Sequence, residues 1–236
     1  MSVMIKQTAI PCIKYSIVAD WHEHDSAQGV LLTFVGFGSS KKSNSDFVAR
    51  IAAEAGLHAL VVDLSGHGES PFDVDVTTPA QHIQEAVAAY DWIASNYPGL
   101  PVHVMGTSYG GFIAAFLSKF RPVKKLVLRT PAIYEPHMLF SQHRLIDKLG
   151  VREYRKNAEA VAGHPLFVQD GVAESQTLLI VHNEDQSVPS ETTGVYREKF
   201  GADLYIAEGF AHSFRDPLNP QDGIEPYCAR IIHWLT

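Results

Sequence analysis

The chain has 236 residues, of which 46% are hydrophobic and 19% charged, with a formal net charge of −7. That is the size of one α/β domain with a large core; it is too apolar for a disordered chain and lacks the basic excess of a nucleic-acid binder. Two cysteines, Cys12 and Cys228, are too few for a disulfide framework and read as reduced, buried thiols.

The first twenty residues carry no apolar run followed by a small-residue cleavage site, and no stretch of about 18 apolar residues occurs. No membrane span is expected, and a cytoplasmic location is the default expectation.

Short β-rich runs alternate with longer helical patterns, the signature of a mostly parallel sheet covered on both faces. Residues 2–9 and 13–19 read as an antiparallel hairpin interrupted by Pro11. Residues 30–34 form a continuous apolar run, suited to a strand buried on both faces, and a glycine- and serine-rich loop follows. A helix is expected over 46–55 with Gly56 as its stop, then a buried strand over 58–63. Thr78-Pro79 is a helix start, and apolar residues continue at helical spacing until Pro98. Residues 102–105 read as a strand, 110–119 as a helix and 125–128 as a strand.

The stretch from 131 to about 171 breaks this rhythm and reads as a helical cap inserted over one end of the sheet. Alternation then resumes: strand 177–182, helix 191–200, strand 204–207 and a closing helix over 224–235, giving six parallel strands after the hairpin, about eight in all. The whole chain, 1–236, reads as one domain.

The strongest chemical signal is Gly106-Thr107-Ser108-Tyr109-Gly110, between a buried strand and a helix. A serine there sits on a sharp turn whose glycines avoid collisions, and the helix behind it favours negative charge at its N-terminus. Serine needs a base. His212, in the loop after the last strand, is the candidate, with His67 and His182 as alternatives near the same edge. Asp185, after the strand ending at His182, is the candidate for orienting the imidazole; Glu184 and Asp216 are its rivals. The resulting order is Ser, Asp, His. An oxyanion needs backbone donors, for which the N–H groups of Tyr109 and of Phe37, in Val35-Gly36-Phe37-Gly38, are the candidates. Within the insertion, Tyr134, His137, Met138, Leu139, Phe140, His143 and Phe167 are the candidates for lining a substrate site, their apolar and aromatic character suiting an acyl or aryl group. Arg144, Arg152, Arg155 and Lys156 read as a solvated helix face. No histidine spacing suggests a metal, and no cofactor is expected.

These residues resemble the α/β-hydrolase superfamily over nearly the whole chain, from Val30 to Leu235. Asp63-Leu64-Ser65-Gly66-His67-Gly68-Glu69-Ser70 resembles the D-x-x-G-H-G-x-S turn of the monoacylglycerol-lipase and cinnamoyl-esterase branch, and Asp185 through Pro189 its D-x-x-V-P stretch. The resemblance implies an α/β-hydrolase fold and a non-catalytic role for His67 in the site floor. Val35 departs from the branch, which usually carries histidine there. Haloalkane dehalogenases and epoxide hydrolases of similar fold place aspartate where Ser108 stands, so their chemistry is not implied. Three functional readings follow. The leading one is a serine esterase for small or medium acyl or aryl carboxylic esters. The others are a thioesterase, acyltransferase or aminopeptidase of the same fold, and an inactive ligand-binding homologue.

Overall fold

A computed structural model describes residues 4–168 and 176–236. The expected end of the insertion, 169–171, lies outside them.

The hairpin forms from β1 (Met4–Pro11) and β2 (Ser16–Glu23), in the register Met4↔Glu23 to Pro11↔Ser16. Both strands run further than the sequence suggested, and the second begins three residues later, at Ser16. Pro11 closes β1 rather than interrupting the hairpin. Strand β1 is the sheet edge, where a missing N–H costs no ladder bond. Cys12 N–H donates to the Tyr15 carbonyl across the turn.

Six parallel strands follow: β3 (Val30–Phe34), β4 (His58–Asp63), β5 (Val102–Thr107), β6 (Lys125–Arg129), β7 (Gln176–His182) and β8 (Asp203–Ala207). The sheet order is β1-β2-β4-β3-β5-β6-β7-β8, antiparallel only at β1–β2 and β2–β4. The chain therefore winds one way from β3 to β4 and the other way from β5 onward. Such a reversal opens a crevice at the carboxyl ends of β3 and β5.

Helix α1 (Lys41–Glu54) starts five residues earlier than expected. The polar Ser40–Ser43 segment, which reads as loop, is a capping box: the Ser40 side chain accepts the Ser43 N–H, and the Ser43 side chain accepts the Ser40 N–H. Helix α2 (Pro79–Asn96) begins at the expected cap, Thr78 Oγ1 accepting the Gln81 N–H at 3.2 Å. Helix α3 (Tyr109–Phe120) follows β5 through the single residue Ser108.

The insertion is less regular than a helical cap. It opens with two 3-10 turns (Pro136–Phe140 and His143–Leu145), followed by α4 (Lys148–Lys156) and two short helices, α5 (Ala158–Ala162) and α6 (Pro165–Val168). Helix α7 (Ser190–Lys199) and the closing α8 (Ile224–Leu235) complete the fold.

Two cores result. On one face α2, α3 and α7 pack on the sheet through Ile83, Ile93, Phe112, Ile113 and Tyr196; on the other α1 and α8 pack through Ile51, Tyr227 and Ile231. Removing each such large side chain from water contributes about 1.5–3 kcal/mol. The two thiols are unpaired, as expected, but Cys12 is only half-buried.

Candidate active site

Ser108 has φ 52° and ψ −114°, a conformation L residues rarely adopt. The turn is held on both sides: Ser108 N–H donates to the Arg129 carbonyl at 2.9 Å, and its carbonyl accepts N–H groups of Phe112 and Ala132. Such strain costs about 1–3 kcal/mol and persists only where surrounding contacts over-determine it. The turn places Ser108, half-buried, at the carboxyl end of β5.

His212 Nε2 lies 2.9 Å from Ser108 Oγ, and His212 Nδ1 lies 2.7 Å from Asp185 Oδ2. A carboxylate only accepts, so Nδ1 carries the proton and Nε2 is free to accept from the serine hydroxyl. The Asp185 side chain is 2% exposed. Burial raises its pKa, but the His212 hydrogen bond and charge and the Val188 and Ser187 N–H groups outweigh that, leaving the carboxyl below its ordinary value. The rivals lie elsewhere: Glu184 is exposed, and Asp216 accepts the Leu218 N–H. His182 bonds Tyr227 and Ala211, and His67 bonds the Ser65 carbonyl, so neither reaches the serine.

The loop after β3 lies against Ser108. A Cβ on Gly36 would stand 3.7 Å from Ser108 Cβ, and Gly38 takes a positive φ of 72° to turn the loop away. Among the described residues neither Phe37 N–H nor Tyr109 N–H is bonded to an acceptor. The Phe37 ring, half exposed, packs on Tyr109, His67 and His143 at centroid distances of 5.7, 5.6 and 5.0 Å. Val35 is buried among the apolar residues of the α1 side, which braces the loop without the branch's histidine.

The cap residues divide. His143 and Tyr134 reach Tyr109, with ring centroids 5.4 and 5.7 Å away, and Met138 is buried beneath the cap. The other four residues expected to line a substrate site have different neighbours. Phe167 packs on Tyr196 and Phe200. Leu139 and Phe140 face an outer groove shared with Phe72 and Phe120, Phe140 being 80% exposed. His137 is exposed beside Glu135. His137, Leu139 and Phe140 share one short 3-10 turn, whose pattern assigns no face, and Phe167 lies in the four-residue α6.

The sequence profile of the family described as "Serine aminopeptidase, S33" matches residues 25–170. The chain belongs to this family. A comparison with curated proteins finds no match. Solved structures share the fold of this S33-family chain over nearly its full length. The Pyrococcus furiosus esterase Pf2001 is 18% identical, with a TM-score of 0.71 over 99% of this chain and 94% of that one. Est1E from Butyrivibrio proteoclasticus, solved with ferulic acid bound, is 16% identical, with a TM-score of 0.73 over 97% of both chains. A dienelactone hydrolase from Anabaena variabilis is 20% identical, with a TM-score of 0.70 over 98% of this chain and 96% of that one. The fold is that of the α/β hydrolases.

Sequence reasoning missed what lies beneath the S33-family site. Tyr109 Oη, fully buried, is 2.6 Å from His82 Nδ1 and 3.3 Å from His143 Nε2, and His82 Nε2 bonds the Ser65 carbonyl. Burial, then the neighbouring His143 and His67, push the His82 pKa far down, so the ring is neutral. His82 sits one turn into α2, where its spacing reads as ordinary helix. Among the described residues no cluster of three metal-ligating side chains occurs, and no helix is long and apolar enough to cross a membrane.

Proposed function

We propose that the protein is a serine ester hydrolase in which Ser108 is the nucleophile, His212 the general base and Asp185 the residue that orients it. The observation that carries this reading is the continuous hydrogen-bonded chain Ser108–His212–Asp185, with a single consistent tautomer, at the crevice where the sheet reverses direction.

As the Ser108 hydroxyl attacks an ester carbonyl, its proton passes to His212 Nε2 and the carbonyl oxygen becomes an oxyanion. The N–H groups of Phe37 and Tyr109 receive that charge. Collapse expels the alcohol, which takes the proton from His212 and leaves an acyl-enzyme. Water then attacks with His212 again as base, releasing the acid and free serine. Asp185 stays ionised throughout and stabilises the imidazolium. The rings of Phe37, His143 and Tyr134 around Tyr109 support small or medium acyl or aryl groups. The family's description names an aminopeptidase, so amides are the competing substrates.

Two measurements test the reading. A fluorophosphonate probe with peptide mapping is expected to modify Ser108 and nothing else. A panel of p-nitrophenyl esters, aryl esters, acyl thioesters and aminoacyl amides is expected to show turnover chiefly on the esters. An unmodified Ser108 refutes the nucleophile; preferred cleavage of aminoacyl amides refutes the esterase.

A further inference from the structure

Arg129 closes β6 and is buried, with its guanidinium carbon 4.5, 5.1 and 5.2 Å from the ring centroids of Phe47, Phe214 and Tyr227. Among the described residues no carboxylate lies within 4.0 Å of it. The aromatic faces and hydrogen bonds offset the cost of burying the charge. Nη1 donates to Thr107 Oγ1 at 3.1 Å, and Nε donates to Tyr227 Oη at 2.8 Å. The Arg129 carbonyl, as noted, accepts the Ser108 N–H. One buried cation thus touches the nucleophile's turn through both side chain and backbone.

The polar chain continues. Tyr227 Oη, on α8 and fully buried, is 3.0 Å from His182 Nε2, and His182 Nδ1 is 2.6 Å from the Ala211 carbonyl oxygen. The protons have one arrangement. A carbonyl only accepts, so Nδ1–H donates to Ala211. Burial, reinforced by Arg129, holds the His182 pKa down at about 4, so the ring is neutral and Nε2 is bare. Nε2 therefore accepts the Tyr227 hydroxyl proton, and Tyr227 oxygen accepts the Arg129 N–H. Each bond polarises the next.

The far end of this chain is the residue before His212. Ala211 is gripped at both ends: its carbonyl by His182, and its N–H by Asn219 Oδ1 at 2.8 Å, while Asn219 Nδ2 donates to the Ser213 and Phe214 carbonyls. Just before Ala211, Gly209 N–H donates to Asn183 Oδ1 at 2.6 Å and the Phe210 carbonyl accepts the Glu184 N–H at 3.1 Å, so Ala211 is the last residue tied down ahead of His212.

We propose that His182 is a positioning residue for His212: the relay Arg129–Tyr227–His182 locks the Ala211 carbonyl and so sets the imidazole between Ser108 and Asp185. This rests on the proposed function above. Its physical basis is the steep dependence of proton and acyl transfer on placement, where about 1 Å of misplacement costs up to about a hundredfold.

Two substitutions of similar size separate positioning from mere burial of a polar group. Asparagine places its amide where the Nδ1 edge of His182 lies and still reaches Ala211. Glutamine places its amide near Nε2, reaching Tyr227 but not Ala211. On a p-nitrophenyl ester, His182→Gln is expected to lower kcat about tenfold at unchanged KM, while His182→Asn stays within about twofold of wild type. Active sites are counted by fluorophosphonate titration, so unfolded protein does not enter kcat. Any order other than glutamine below asparagine, or a loss confined to KM, overturns the relay. Wild-type protein that leaves Ser108 unlabelled overturns the proposed function instead. If His182→Gln yields no folded protein, His182→Ala decides: it removes the donor to the Ala211 carbonyl, and a kcat below that of His182→Asn at constant KM supports the positioning role, whereas a kcat equal to that of His182→Asn refutes it.

Discussion

Gly106 and Gly110 lie back to back across the Ser108 turn, too close for a side chain on either. A Cβ on Gly106 would stand 2.7 Å from Gly111 Cα and nearer still to the Gly110 carbonyl, and one on Gly110 would stand 2.5 Å from the Val35 carbonyl oxygen. These obstacles are backbone, which cannot rotate out of the way. Gly106→Ala or Gly110→Ala is therefore expected to cost about 3 kcal/mol, the upper end of overpacking, and to move Ser108 Oγ out of line with His212. Urea unfolding and ester turnover measure the two effects; a variant with wild-type stability and rate would show that the turn has more slack than this packing allows.

Asp185→Asn tests the tautomer. The amide can donate to Nδ1, which would move the imidazole proton to Nε2 and leave Ser108 without an acceptor. A loss of about 10³–10⁴ in kcat is expected, with KM little changed. Retention of kcat within tenfold would mean that Asp185 does not set the proton on His212.

Phe37 contributes to the proposed oxyanion site through its backbone, and its side chain packs on Tyr109 and His143. Phe37→Ala should therefore act on substrate fit more than on chemistry. A severalfold rise in KM for aryl esters, with kcat within about threefold, is the expected outcome of steady-state kinetics. A kcat loss near a hundredfold at constant KM would place the side chain, not the N–H, in transition-state stabilisation.

Burial holds four histidines, His103, His143, His164 and His182, at pKa values of about 4 against an ordinary 6.5. The unfolded chain takes up protons on these groups below pH 6.5, and the folded chain does so only near pH 4. Between those limits the unfolded state holds more protons, so stability falls as pH drops, by at most about 1.4 kcal/mol per pH unit for each histidine. Above pH 6.5 these groups contribute no slope. His103 is the one of the four whose ring makes no hydrogen bond among the described residues, so it is the one to remove. His103→Leu is expected to lose less stability between pH 7 and pH 5 than wild type in urea titrations. An unchanged difference would show that His103 is charged in the folded state.

Sequence alone determined the alternation that makes the sheet and the three loops that carry Ser108, Asp185 and His212. Each signal is local: a strand, a short chemically distinctive turn, then a helix or strand. Hydrogen-bond satisfaction within a few residues decides such features, so they are written in consecutive positions. The start of α1 escaped because Ser40 and Ser43 cap each other with side chains that are equally at home in a loop. Tertiary structure alone decided which cap residues approach Tyr109, because 3-10 turns of three to five residues present no periodic face. It alone decided that Arg129 meets Tyr227 across 98 positions and that Tyr227 meets His182 across 45. A buried cation needs partners wherever the packed fold supplies them, and no spacing along the chain encodes that meeting.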